Sequence, residues 1–279
     1  SSRGLGDVYK RQINNSMTKR ASYHLIGILL TLILGGWFAY EKYWEYYVIE
    51  RAKALGQELN EEELKYWTQN IRTYNSPNRF DADIGQFVQQ DKISFPPINQ
   101  FLFIGSSSIR LWQSLEEDMK PLKVINRGFG GAHIKHINRH LDKIVFPYKP
   151  KAIIFFCGSN DINGWNSPQD VFAEFEIFFN SVKKRLPKTK VFVIGIQPSP
   201  SRFDQRPRQL EWNDAVSNLS KTDPNLVYVD VSSAMLSSDN KPRLELYTYD
   251  TLHMNENGYK IWTKKVRENL KNYFPEDFL

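Results

Sequence analysis

Five short apolar runs in the second part of the chain constrain the fold more than any other feature. Amphipathic stretches separate them, and in residues 167–186 the apolar side chains recur every three or four positions, as on one face of a helix. Strands that are apolar throughout and alternate with helices are typical of a parallel sheet covered on both faces. The sequence therefore predicts a three-layer α/β/α domain over residues 97–279. Its predicted strands are 101–105, 124–126, 152–157, 191–196 and 226–231.

A second apolar segment, residues 21–40, lies near the N-terminus and contains no Asp, Glu, Lys or Arg. As a helix it would span about 30 Å, the thickness of the hydrocarbon core of a bilayer. Lys19 and Arg20 precede it, and aromatic residues lie around its other end. These features predict a transmembrane signal-anchor helix over residues 21–40, with the larger C-terminal part of the chain outside the cytoplasm. A cleaved signal peptide and a buried core helix are the alternatives; the first is disfavoured because no small-x-small cleavage site precedes Glu41.

The segments on either side of this helix differ in character. Residues 1–20 are predicted to be a tail, and residues 1–16, which precede the first methionine, are interpreted as a non-native scar. Residues 41–96 are polar and favour helices, so we expect a helical stalk and lead-in. Within it, Asn60 precedes three glutamates and is the expected cap of a helix.

The net charge argues against nucleic-acid binding, and the cysteine content excludes stabilisation by a disulfide within the chain. The net charge is +6, but residues 1–20 hold five basic side chains and one acidic one, so the remaining residues carry only about +2. Nucleic acid is therefore not an expected partner. The only cysteine, Cys157, rules out a disulfide within the chain. Because it lies among large apolar residues, we expect it to be buried and inert.

Polar residues follow the first apolar run directly, as "GSSS" at 105–108. Ligands of parallel α/β sheets bind beyond the carboxyl ends of the strands, which is where these serines would lie. A serine needs a base to remove its proton, and the base needs a partner to orient it. His253, three residues after Asp250 in "YDTLH", fits that pair. Periodicity alone leaves Ser107 and Ser108 as rival nucleophiles.

Two further strand ends offer groups that could stabilise a negatively charged oxygen. In "NRGFGGA", Gly128, Gly130 and Gly131 allow close backbone approach and present N–H groups. In "GSND", Asn160 could donate its side-chain amide.

Two other groups of residues are candidate sites. His133, His136 and His140 have the spacing of a metal site on one helical face. No carboxylate or cysteine completes that set locally, so we interpret the histidines as a solvated or groove-lining face and expect no metal or cofactor. Trp165 and Arg202, with Phe203 and Arg206 near Arg202, are candidate substrate-lining residues; an ordinary surface loop is the alternative.

In this order, "GSSS", "NRGFGG", "GSND" and "DTLH" resemble the four sequence blocks of the SGNH (GDSL-type) hydrolases, most closely the platelet-activating-factor acetylhydrolase catalytic-subunit type. The resemblance covers about residues 97–273. It implies a flavodoxin-like fold with a five-stranded parallel sheet and a serine esterase mechanism without a metal or other cofactor.

Carried over residue by residue, the resemblance makes Ser107 the nucleophile and Asp250 and His253 its partners. It makes the N–H groups of Ser107 and Gly131, with the Asn160 amide, the oxyanion hole. One departure is Ser106, where the family usually has aspartate. We expect this change to alter the support of the nucleophile turn without abolishing catalysis.

The function predicted from the sequence is a membrane-anchored serine esterase that acts on a small-molecule, glycan or lipid ester. Two alternatives share much of the evidence. An O-acyltransferase on envelope glycans would use the same site with a sugar hydroxyl in place of water. An inactive ligand-binding module is disfavoured because binding alone needs no base-activated serine.

Overall fold

The computed structural model describes residues 3–279, with side chains from Leu25 onward. The predicted tail, including its interpretation as a scar, lies outside the residues whose side chains are described. The chain divides into two compact units, one ending at Asn75 and the other spanning Ser76–Leu279.

The first unit contains two helices, α1 (Arg3–Ala54) and α2 (Glu61–Asn75). Asn60 begins α2 as predicted, because its side-chain oxygen accepts a hydrogen bond from the Glu63 N–H at 2.9 Å. The Glu63 carboxylate accepts one from the Asn60 N–H at 3.0 Å in return, which is the reciprocal arrangement of a capping box. An ion pair between Glu41 and Arg72 joins the two helices.

Part of α1 is long and apolar enough to cross a membrane. The segment Leu25–Ala54 has a mean hydropathy of 1.4 over its most apolar window, and none of that window is buried. The absence of burial argues against the core-helix alternative for these described residues. A membrane span and a signal sequence share the same length and composition, so the structure supports an N-terminal apolar helix of either kind.

The second unit is built on a five-stranded parallel sheet in the order β2-β1-β3-β4-β5, which confirms the predicted sheet. Its strands are β1 (Phe101–Gly105), β2 (Val124–Gly128), β3 (Ala152–Phe156), β4 (Lys190–Ile194) and β5 (Leu226–Val229). The fourth strand ends before the predicted position because the backbone N–H of Ile196 donates to the Asn213 side chain instead of continuing the ladder.

Helices cover both faces of this sheet, which confirms the three-layer architecture. Alternate strand residues point to opposite faces, so Leu102 and Ile104 enter one core while Phe101 and Phe103 enter the other. The helices of this unit are α3 (Asp81–Ile93), α4 (Ser107–Arg110), α5 (Leu115–Asp118), α6 (Ile134–Ile144), α7 (Ser159–Asn163), α8 (Pro168–Arg185), α9 (Arg206–Thr222) and α10 (Glu256–Tyr273).

Helix α3 belongs to this second unit, so the division at Asn75 precedes the predicted domain boundary at residue 96. Ile84 of α3 is buried in one of the two cores. Asp91, also on α3, accepts a hydrogen bond from the Arg127 guanidinium at 2.5 Å and another from the Tyr148 hydroxyl at 2.5 Å. These contacts fix α3 beside the edge strand β2.

Candidate active site

A sharp turn between β1 and α4 presents the predicted nucleophile. Gly105 ends β1 with φ of +156°, and a Cβ there would lie 2.0 Å from the Phe156 carbonyl oxygen, so only glycine fits. Ser106 follows in an extended conformation and is buried, and Ser107 is the first residue of α4. The turn therefore places the Ser107 side chain at the carboxyl edge of the sheet.

The structure brings Ser107, His253 and Asp250 into one hydrogen-bonded chain. The Ser107 Oγ lies 2.8 Å from His253 Nε2, and His253 Nδ1 lies 2.6 Å from Asp250 Oδ2. Of the two rival serines, Ser107 is therefore the one that contacts the imidazole. Ser108 is buried, and its carbonyl accepts a hydrogen bond from the Tyr259 hydroxyl at 2.9 Å.

Asp250 is held in its ionised form by several donors. Its Oδ1 accepts hydrogen bonds from the backbone N–H groups of Leu252 and His253, both at 2.9 Å, and from the Thr248 hydroxyl at 2.7 Å. Burial alone would raise the pKa of Asp250, but these bonds and the one to the His253 ring lower it well below its usual value. The carboxylate can therefore orient the imidazole and stabilise its protonated form.

Contacts between α10 and α4 explain how residues so far apart in sequence meet. Tyr259, on α10, donates to the Ser108 carbonyl, and its ring stacks on Trp112 with 5.3 Å between centroids. The loop that carries His253 is closed at its base, since the Thr248 N–H donates to the His253 carbonyl at 2.8 Å.

The two predicted oxyanion loops lie against each other. The Asn160 amide donates from Nδ2 to the Ala132 carbonyl at 3.1 Å, directly after Gly131. Its Oδ1 accepts a hydrogen bond from the Arg202 guanidinium at 3.0 Å. Gly131 has φ of +75°, a conformation that favours glycine. These contacts fix the orientation of the Asn160 amide. One of its two N–H hydrogens donates to Ala132, and the second takes no part in that bond.

A small cavity of about 10 Å³ lies beside Ser107. Asn160 and Arg202 are among its lining residues, whereas Gly131 and Trp165 are not, and Trp165 is buried. Gln197 also lines it, which the sequence analysis missed; its position in "IQPSP", just after an apolar run, was the available signal. The lining residues are Ser106, Ser107, Ser108, Phe156, Ser159, Asn160, Gln197, Arg202, Leu252 and His253.

The histidine face of α6 corrects the interpretation made from the sequence. His133, His136 and His140 are buried rather than solvated. His136 Nδ1 accepts a hydrogen bond from the His133 N–H at 2.9 Å and so caps the helix. Phe80, from the segment before α3, covers the His136 ring at 4.7 Å between centroids. Among the described residues, no group of three or more His, Cys, Asp or Glu side chains is placed to bind a metal.

Behind the Asn160 loop lies a second, fully buried set of reactive residue types. Asp161 accepts a hydrogen bond from the Ile134 N–H at 3.0 Å, and burial raises the pKa of its carboxyl to about 7. Cys157 is buried, as predicted, and its thiol donates to the Ala132 carbonyl at 3.3 Å. Burial raises the pKa of that thiol well above its usual value, so little thiolate is present at neutral pH.

Comparisons with known proteins agree with this architecture. Over 212 residues the chain is 27% identical to platelet-activating factor acetylhydrolase IB subunit alpha2 of Rattus norvegicus, covering 71% of this chain and 86% of that protein. A GDSL-like lipase of Bacteroides thetaiotaomicron has the same fold, with a TM-score of 0.61 at 18% identity over 69% of this chain and 98% of that one. An acetylxylan esterase of Geobacillus stearothermophilus gives a TM-score of 0.52 at 13% identity over 63% and 95%.

The match to a family model decides the classification. The model of the GDSL-like Lipase/Acylhydrolase family matches residues 105–261, more than half of the chain, from the nucleophile turn into α10. The chain thus belongs to the GDSL-like lipase/acylhydrolase family, and it is a hydrolase.

Proposed function

We propose that this hydrolase is a membrane-anchored serine esterase that cleaves carboxylic esters through an acyl-enzyme intermediate. The observation that carries the proposal is the hydrogen-bonded chain of Ser107, His253 and Asp250, with contacts of 2.8 and 2.6 Å. An imidazole that donates from Nδ1 to Asp250 has Nε2 available as an acceptor for the Ser107 proton. This arrangement supports activation of the serine by a general base.

In the proposed reaction, the Ser107 oxygen attacks the ester carbonyl carbon while His253 removes the serine proton. Asp250 stabilises the protonated imidazole. The carbon–oxygen bond to the alcohol then breaks, and His253 gives the proton to the departing alkoxide. A water molecule attacks the acyl-enzyme in the same way, which releases the carboxylic acid and restores the Ser107 hydroxyl.

The proposed oxyanion hole combines the backbone N–H groups of Ser107 and Gly131 with the Asn160 amide. Support comes from the bond between Arg202 and the Asn160 oxygen at 3.0 Å, which fixes the direction of the amide. The bond from Asn160 to Ala132 also ties it to the loop of Gly131. Donors held in place before the reaction stabilise developing charge without reorganisation, and each typically contributes about 10²–10³ in rate.

The test uses the full chain in detergent with p-nitrophenyl esters from acetyl to long acyl chains. We expect Ser107→Ala to lose at least about 10³-fold in kcat/KM, while the neighbouring Ser108→Ala stays within about tenfold. A fluorophosphonate should label the wild-type protein and Ser108→Ala but not Ser107→Ala. Equal rates for the two variants would overturn the assignment of the nucleophile.

Membrane anchoring is a separate part of the proposal. It is supported by the exposed apolar side chains of α1 and by Trp37, Tyr40 and Tyr43, which are exposed near the end of the apolar stretch. We expect the expressed protein to stay in the membrane fraction after alkaline extraction and to be released by detergent. Recovery of a shortened, soluble protein would instead identify the helix as a cleaved signal sequence. Protease digestion of intact cells should remove the catalytic part if it lies outside the cytoplasm.

A further inference from the structure

Arg202 reaches the proposed active site from a loop that carries none of the predicted catalytic residues. It lies in the connection between β4 and α9, and it is half-buried in the wall of the cavity beside Ser107. Its Nη1 donates to the Asn160 Oδ1 at 3.0 Å and to the Ser159 hydroxyl at 2.9 Å. Both bonds can form at once because Nη1 carries two hydrogens. Arg202, expected from the sequence to line the substrate site, therefore also binds two other side chains there.

The partners of Asn160 determine which way its side-chain amide points. The amide oxygen accepts from Arg202, and the amide nitrogen donates to the Ala132 carbonyl at 3.1 Å. If the amide were turned over, its NH₂ group would face the guanidinium and its oxygen would face the Ala132 carbonyl. Donor would then meet donor and acceptor would meet acceptor. The direction of the second N–H of Asn160 thus depends on Arg202.

The guanidinium of Arg202 also carries a permanent positive charge. A hydrogen bond from a charged donor is shorter and stronger than one between neutral groups. Hydrogen bonds that share one group polarise one another, so a charged donor at the amide oxygen strengthens the N–H groups of the same amide as donors. Arg202 can therefore both orient and polarise the Asn160 amide.

The loop of Arg202 is connected to the turn that carries the base and the acid of the triad. The Ser201 N–H donates to the carbonyl of Thr251, which lies in that turn, at 3.1 Å. The Tyr247 hydroxyl, just before the turn, donates to the Pro198 carbonyl. These two bonds hold the backbone that carries Arg202 at a fixed place relative to the triad.

We propose that Arg202 is a positioning residue of the reaction, which holds the Asn160 amide in the direction from which it donates to the oxyanion. This inference rests on the proposed esterase function and its oxyanion hole. It assigns Arg202 to stabilisation of the transition state and not to substrate binding. Because the charge on the oxyanion develops only in the transition state, loss of such a residue lowers kcat much more than it changes KM.

The test is a double-variant cycle between Arg202 and Asn160, with the full chain in detergent and p-nitrophenyl acetate as substrate. Arg202→Met has similar length but no donor, and we expect kcat to fall about 10- to 100-fold while KM stays within about threefold. Asn160→Ala should lower kcat by about 10²–10³-fold. When both changes are combined, Arg202→Met should lower kcat by less than about a further threefold, because the amide that it positions is already absent.

Arg208 provides the matched control. Its guanidinium also contacts α7, where it donates to the Ile162 carbonyl at 3.1 Å, but that bond does not involve Asn160. We expect Arg208→Met to change kcat less than about threefold, and by the same factor with and without Asn160. Melting temperatures show whether each variant is folded.

Several results would overturn the proposal. If Arg202→Met lowered kcat by the same factor in the wild-type and Asn160→Ala backgrounds, Arg202 would act independently of the amide. A rise in KM at unchanged kcat would make Arg202 a substrate-binding residue instead. Equal losses for Arg202→Met and Arg208→Met would indicate a general role in supporting α7.

Failure of the proposed function gives a different pattern. Wild-type protein would then hydrolyse the ester no faster than Ser107→Ala, and the role of Arg202 would fall with the esterase proposal. An active wild type with a large loss for Ser107→Ala, but with kcat unchanged in Arg202→Met, would overturn the role of Arg202 alone.

Discussion

Two regions of this protein combine an imidazole, a carboxylate and a potential nucleophile, but their environments differ. In the serine triad of Ser107, His253 and Asp250, the Asp250 side chain is 34% exposed and accepts several hydrogen bonds. In the buried cluster of Cys157, Asp161 and His133, the Asp161 side chain is 5% exposed. His133 Nδ1 and Asp161 Oδ1 are 3.9 Å apart, too far for a hydrogen bond.

The pKa shifts of the two regions follow from this difference. Hydrogen bonds lower the pKa of Asp250, whereas burial raises that of Asp161 to about 7. Burial also lowers the pKa of His133 and raises that of Cys157, with further contributions from neighbouring charges. Each shift in the buried cluster thus favours a neutral group, as desolvation does. We therefore expect partial exposure and hydrogen bonding, more than residue type, to decide which of the two sets is reactive.

The largest expected effect comes from replacing one histidine of the serine triad, His253, and comparing it with His136, whose ring lies 5.2 Å from that of His133 in the buried cluster. His253→Asn removes the proposed general base and should lower kcat/KM by about 10⁴-fold or more. His136→Asn keeps a side-chain acceptor for the His133 N–H and should change kcat/KM less than about tenfold. Steady-state hydrolysis of p-nitrophenyl acetate, with melting curves for both variants, measures this. Comparable losses in two folded variants would contradict the distinction between the regions.

Next in size is the effect of neutralising each carboxylate. Asp250→Asn should lower kcat by about 10²–10⁴-fold, because the amide can leave the imidazole in the wrong tautomer. Asp161→Asn retains an oxygen that can accept the Ile134 N–H, so we expect a loss below about tenfold. The same ester assay at neutral pH is sufficient. If Asp161→Asn were as damaging as Asp250→Asn, the buried carboxylate would have a direct part in the reaction.

The contrast between these regions also shows which structural features could be predicted from the sequence. The serine run and the Asp250–His253 pair could be recognised because each lies in a local pattern that follows a strand or precedes a helix, and the family resemblance then chose Ser107, which contacts His253, over Ser108. The burial of His136 could not be predicted, since it depends on Phe80, which lies 56 positions earlier in the chain and packs against its ring. Gln197 was missed for a similar reason. Its place in the cavity wall depends on Asn213, Arg206 and Tyr247, whose side chains hold the backbone of Ile196 and Pro198 on either side of it.

A smaller effect, of opposite sign in the two regions, is expected in the pH dependence of stability. Asp250 has a lowered pKa in the folded state. Its contribution to the free energy of unfolding is therefore present above its pKa in the unfolded chain, about 4, and is lost as the pH falls. Asp161 has a raised pKa, so its contribution is full below about pH 4 and is lost as the pH rises through about 7.

Urea denaturation between pH 4 and 8 tests the direction in which each carboxylate changes the stability with pH. Relative to wild type, Asp161→Asn should become progressively more stable as the pH rises from 4 to 7, by up to about 4 kcal/mol. Asp250→Asn should be less stable than wild type by a nearly constant amount over this range, with the gap closing only in more acidic buffer. Parallel curves for wild type and Asp161→Asn would show that Asp161 titrates alike in the folded and unfolded states.

The smallest expected effect concerns the one thiol. Cys157 is buried, and desolvation raises its pKa, so iodoacetamide at pH 7.5 should not modify the folded protein although it should modify the urea-denatured chain. Cys157→Ser has nearly the same size and can keep the bond to the Ala132 carbonyl, so kcat/KM should stay within about threefold of wild type. Mass spectrometry after alkylation and the ester assay measure the two results. Rapid alkylation of folded protein with matching loss of activity would show that reagents reach Cys157 from the site. That result would contradict the distinction between a partly exposed, reactive set and a buried, inert one.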